Sequence, residues 1–127
     1  MKKLIFTLLF STLVFSSPSY AGWTEVSKNV KGNTFYVDFD RIRKHGGYVY
    51  FWELGDYLMK PLEGYLSSNT YKQGDCKLFR FKILSISMYT EPMSRGTPSI
   101  SFEPNKGWKY PPPNSPARSI LKKVCSK

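Results

Sequence analysis

Apolar residues follow three rhythms along this chain. Across residues 4–15 they run almost without a break. Across residues 23–102 they come in short runs, several alternating with polar residues, with glycine or proline between the runs. Across residues 117–124 they recur at helical spacing. Each rhythm implies a different structure.

The middle rhythm describes strands and turns. Residues 23–26 and 34–39 are the first two candidate strands, and His45-Gly46-Gly47 turns the chain. Residues 48–54 read as a strong strand, with Tyr48, Tyr50 and Trp52 on one face and Val49, Phe51 and Glu53 on the other. Both faces are largely apolar, as in a central or covered strand. A row such as Tyr48, Tyr50 and Trp52 can stack sugars or bases. More often it is core beneath a helix, and that is the expectation here. Residues 65–71 form a weaker strand, and residues 78–89 the longest candidate. In the latter the apolar face flips near Ile83-Leu84, as a β-bulge or a change of cover along the strand would make it do. A loose loop over residues 91–99 precedes a short last strand over 100–102.

The third rhythm is a helix. Pro111 to Pro113 form a stiff lead-in, Asn114 or Ser115 can cap the first turn, and Pro116 suits the first helical position. Ala117, Ile120, Leu121 and Val124 make one apolar stripe. The whole pattern is α+β: a single antiparallel sheet of about five or six strands with a C-terminal helix packed on one face.

The first rhythm is an export signal. Lys2 and Lys3 precede the apolar run, and Ser19-Tyr20-Ala21 offers small residues where a signal peptidase reads. At about twelve residues the run is short for a bilayer span. Cleavage before Gly22 leaves residues 22–127 as one domain, periplasmic or secreted. No cysteine stands directly after the cleavage site, where Gly22 lies, so no lipid anchor is expected. Of the 127 residues 41% are hydrophobic, which supports a folded core and excludes a disordered chain. An even cysteine count in an exported chain, Cys76 and Cys125, reads as one disulfide. The rival readings, a metal pair or a catalytic thiol, lack a histidine cluster and a C-x-x-C spacing.

The net charge of +10 is unevenly spread. Residues 22–103 hold eleven basic and nine acidic side chains, whereas residues 104–127 hold six basic and no acidic ones. This is either a solvated basic face or a patch for a polyanion. Lys109, Arg118, Lys122 and Lys123 are the candidate contacts. Export argues against nucleic acid as the partner.

Candidate chemistry is sparse. His45 is the one histidine and sits in a turn. Asp38 and Asp40 would share a strand face, although Asp40 can instead cap a short turn at Arg41-Ile42; six or more oxygens would be needed for calcium. Glu53 and Asp56 are the one carboxylate pair open to a small hydrolase. No phosphate loop or nucleophile motif occurs, so no catalytic residue, metal or cofactor is assigned.

These residues together resemble the bacterial surface-adhesin protein E-like family. The resemblance rests on Trp23, Tyr36-Val37-Asp38, Ile42, Trp52, Ser68, Asp75-Cys76, Arg80, Tyr89, Gly96, Trp108, Ser115 and Cys125, in that order. It implies an antiparallel sheet with a C-terminal helix and a Cys76–Cys125 bridge. It also implies binding of host matrix proteins such as laminin and vitronectin, and a homodimer. The expectation is an exported, non-enzymatic binding module. A periplasmic envelope or assembly factor is the alternative.

Overall fold

The computed structural model describes residues 22–58, 64–104 and 107–127. The expected signal over residues 1–21 lies outside the described residues, as do Pro61 and Lys106. Seven strands form one antiparallel sheet: β1 (Trp23–Lys28), β2 (Thr34–Asp38), β3 (Arg43–His45), β4 (Tyr48–Asp56), β5 (Ser67–Asp75), β6 (Arg80–Tyr89) and β7 (Ile100–Phe102). The order is β1-β2-β4-β5-β6-β7, and β3 also pairs with β4, beyond the end of β2. Helix α1 (Pro116–Cys125) closes the chain and packs on the sheet.

Local chemistry accounts for the turns. Gly46 and Gly47 take φ of 60° and 83°, the left-handed pair that a tight hairpin between β3 and β4 requires. A 3-10 turn at Phe39–Arg41 carries the chain from β2 to β3. Its cap is Asp38, which accepts hydrogen bonds from the Asp40 N–H at 3.1 Å and from Arg41 Nε at 2.6 Å. The expected capping role of Asp40 therefore belongs to Asp38. Asp40 lies in the turn and not on a shared strand face.

The expected phase flip in the long strand is a bulge. Tyr71 pairs with Ser85 and Lys72 with Ile83, which leaves Leu84 as the extra residue. The strand itself starts at Arg80. Residues 76–79 form the turn before it, with Phe79 at φ 53°. Strand β5 runs to Asp75, further than the expected end at residue 71, because its polar residues pair with both β4 and β6.

Directly opposed residues share a face of the sheet. Val37, Val49, Phe51, Gly74 and Phe81 lie on one face, here called the inner face. Ile120, Leu121 and Val124 of α1 bury themselves there against Val37, Val49 and Phe51. Each such side chain contributes about 1.5–3 kcal/mol of burial. Ser115 caps α1 by accepting from the Arg118 N–H at 3.2 Å, and Lys122 and Lys123 occupy the last turn, where the helix dipole favours cations. The Cys76–Cys125 disulfide ties the helix end to the end of β5. For a loop of 49 residues the chain-entropy model gives about 4 kcal/mol.

The row of Tyr48, Tyr50 and Trp52 is not core beneath the helix. Val49 and Phe51 take that position, so alternation places the aromatic row on the opposite, outer face. A glycine at 74 and a valine at 49 leave the helix room on the inner side.

Candidate functional site

The basic residues singled out from the sequence lie on the helix-bearing side. Lys109 forms an antiparallel bridge with Phe81, exchanging two backbone hydrogen bonds of 2.8 and 2.9 Å, and so shares its inner face. The Arg118 guanidinium sits 5.1 Å from the centroid of the Phe79 ring. Lys122 and Lys123 project from the last turn of α1. All four side chains are exposed. Apart from the Arg118–Phe79 contact, their side chains have no ring or ion-pair partner among the described residues.

The carboxylate pair does not form. Glu53 and Asp56 are three apart in a regular strand and fall on opposite faces. Glu53 accepts from Lys72 Nζ at 2.7 Å in a buried inner-face ion pair. Asp56 accepts from the Met93 N–H at 2.8 Å on the outer side. A hydrolase built on these two carboxylates is thereby removed. His45 ends β3 and lines a cleft of about 420 Å³ beside the disulfide, together with Lys44, Val49 and Val124. Among the described residues no cluster of three or more His, Cys, Asp or Glu side chains is placed to hold a metal ion.

The outer face is where the unforeseen arrangement lies. A 3-10 turn at Pro92–Ser94 folds over its far end, where the Ser94 N–H donates to Ser67 Oγ at 2.8 Å. The rest of this face is not covered by α1. Trp52 packs on Tyr71 with ring centroids 4.6 Å apart, and Tyr71 on Tyr50 at 6.2 Å. The Arg41 guanidinium lies between Trp23 and Trp52, 5.7 and 5.5 Å from their centroids. Trp108 reaches over from beyond β6 to Tyr48, with Arg80 and Lys82 against its ring at 4.1 and 4.6 Å. Such contacts are worth about 0.5–2 kcal/mol each.

Two acids each fix one cation of this face. Asp38 holds Arg41, and Asp75 accepts from Arg80 Nε at 2.9 Å and from the N–H groups of Lys77 and Leu78. Burial works against ionising Asp75, but the Arg80 hydrogen bond and the two N–H donors outweigh it and lower its pKa. The same pair, with a further contact to Tyr110, raises Arg80. Partial burial, with Glu53 nearby, raises Tyr57 despite its hydrogen bond to Ser68. Sequence reasoning missed Arg41, Arg43, Arg80 and Lys82 as members of one face. For Arg43, Arg80 and Lys82 the usable signal was strand parity, which puts them on the face of the Tyr48-Tyr50-Trp52 row; Arg41 reaches Trp52 from the 3-10 turn, where no alternation announces it.

Comparisons with known proteins agree with this fold. Solved structures of Haemophilus influenzae protein E resemble it. Crystal form II is 17% identical, covers 86% of this chain and 91% of its own, and superposes with a TM-score of 0.61. A second structure is 18% identical, with coverage of 87% and 90% and a TM-score of 0.58. Protein E from a non-typeable Haemophilus influenzae is 17% identical, with coverage of 87% and 79% and a TM-score of 0.61. No curated protein matches the sequence. The family described as surface-adhesin protein E matches residues 23–126, and the chain belongs to that family.

Proposed function

We propose that this chain is an exported, non-catalytic binding module that engages a host matrix protein or another polyanionic ligand through the basic surface on its helix side. The observation that supports it most is the concentration of charge. Residues 104–127 carry six basic side chains and no acid, and Lys109, Arg118, Lys122 and Lys123 stand exposed on one side of the sheet. Membership of a surface-adhesin family supports a binding role outside the cytoplasm. The dispersal of Glu53 and Asp56 to opposite faces supports a surface-presenting role over a catalytic one.

The test replaces Lys109, Arg118, Lys122 and Lys123 together by Ser and measures binding to immobilised host matrix proteins over a range of salt. Exposed charges contribute about 0.2–1 kcal/mol each, so affinity at low salt should fall roughly tenfold or more. The salt dependence should flatten as well, because fewer screened contacts remain. Binding that keeps the wild-type affinity and the wild-type salt slope refutes the proposal.

A further inference from the structure

The outer face of the sheet carries a transverse row of side chains whose polar groups have no hydrogen-bond or ion-pair partner among the described residues. Arg43 pairs with Tyr50, Tyr50 with Gln73, and Gln73 with Lys82, so the four stand side by side across β3, β4, β5 and β6. Three strand spacings separate Arg43 from Lys82, or about 14 Å. Arg43 has no side-chain partner among the described residues, and Lys82 has only the Trp108 ring. Likewise the Gln73 amide and the Tyr50 hydroxyl make no side-chain hydrogen bond among the described residues. The acids flanking the row are already consumed, Asp38 by Arg41 and Asp75 by Arg80. The row is thus a cation, a hydroxyl, an amide and a second cation, with no free carboxylate among them.

We infer that this row is a binding site for an anionic oligosaccharide, a sulfated or uronic-acid glycan lying across the strands. Charge complementarity carries the inference. Two uncompensated cations at a fixed spacing suit two anionic groups on a stiff chain, and the hydroxyl and amide between them suit sugar hydroxyls. Trp52 and Tyr71 flank the row on the same face, with the Tyr71 ring stacked on Tyr50. A single-stranded nucleic acid suits the face less well. Its bases need open ring faces, and Trp52, Tyr71 and Trp108 are already packed against a cation or another ring. This surface is on the opposite side of the sheet from Lys122 and Lys123 and is independent of the proposal made for them.

The experiment titrates the protein with a heparin-type sulfated oligosaccharide. Parallel titrations use the desulfated sugar, single-stranded DNA and polyglutamate. The variants are Arg43→Gln with Lys82→Gln, Gln73→Leu, and a charge-matched control, Lys28→Gln with Lys31→Gln, at the far end of the sheet. Circular dichroism checks that each variant is folded. The expected result is binding of the sulfated sugar that drops about tenfold in the Arg43/Lys82 variant, the loss of one or two charge-assisted contacts. A smaller drop is expected in Gln73→Leu and none in the control. Equal losses in the control overturn the inference, because they mean non-specific charge. The fourfold Ser variant of Lys109, Arg118, Lys122 and Lys123 is titrated as well, and loss in that variant alone overturns the inference, as does equal affinity for DNA or polyglutamate, or no binding of the sulfated sugar at all.

Discussion

Asp75 shows how a single residue is held against its own preference. It is 6% exposed, yet it stays ionised because Arg80 and two backbone N–H groups pay it back for lost water. Its folded pKa is lowered, whereas in the unfolded chain it returns to about 3.9. The unfolded state then binds more protons in the acid range. The Asp75 contribution is therefore complete above pH 4 and is lost as the pH falls through its folded pKa. Asp75→Asn should be less stable than the parent at pH 7, and the gap should shrink below pH 4. Urea unfolding midpoints measured across that range check this, and a gap that stays constant to pH 2 contradicts it. At this scale the sequence was only partly legible. Asp75, Cys76 and Arg80 stood out through the family resemblance, but nothing in their spacing says that the acid grips the arginine. That contact depends on the turn at residues 76–79, in which Phe79 takes a left-handed φ that local pattern does not announce.

The joint between α1 and the sheet depends on one small residue. A Cβ at Gly74 would stand 2.8 Å from Val49 Cγ1 and 3.0 Å from Leu121 Cδ1, inside contact distance for both the sheet and the helix. In open space a strand Gly→Ala change gains about 0.5–1 kcal/mol by restricting the unfolded chain. Here overpacking should win. Gly74→Ala should destabilise by about 1–3 kcal/mol, seen as a lower midpoint in chemical denaturation, and a stabilised variant would contradict the packing described. The helix itself was legible, because its stripe, its Ser115 cap and Pro116 all point the same way. Strand β3 was not legible. Arg43, Lys44 and His45 are all exposed and show no alternation, and they pair only because the Gly46-Gly47 turn returns the chain beside them. Strand β5 was half legible, since Gln73 and Gly74 carry little strand preference of their own and are held by neighbours on both sides.

The whole molecule has two unlike sides. One bears the helix and the basic C-terminal side chains. The other bears an aromatic and cationic face, partly covered by the segment around Pro92–Ser94. The α+β architecture was readable because strand and helix periods occupy separate stretches. Which aromatic row the helix covers was not, because Val49-Phe51 and Tyr48-Tyr50-Trp52 are both apolar. The deciding facts, the narrow Gly74 gap and the Cys76–Cys125 tether, are tertiary.

The binding role proposed for this member of a surface-adhesin family requires that the chain meet its ligand outside the cell. Protease treatment of intact cells, with a periplasmic protein as the internal control, tests this most directly. The account predicts digestion of the native protein while the periplasmic control is spared. Protection until the outer membrane is opened would contradict it, and would point to a partner within the envelope.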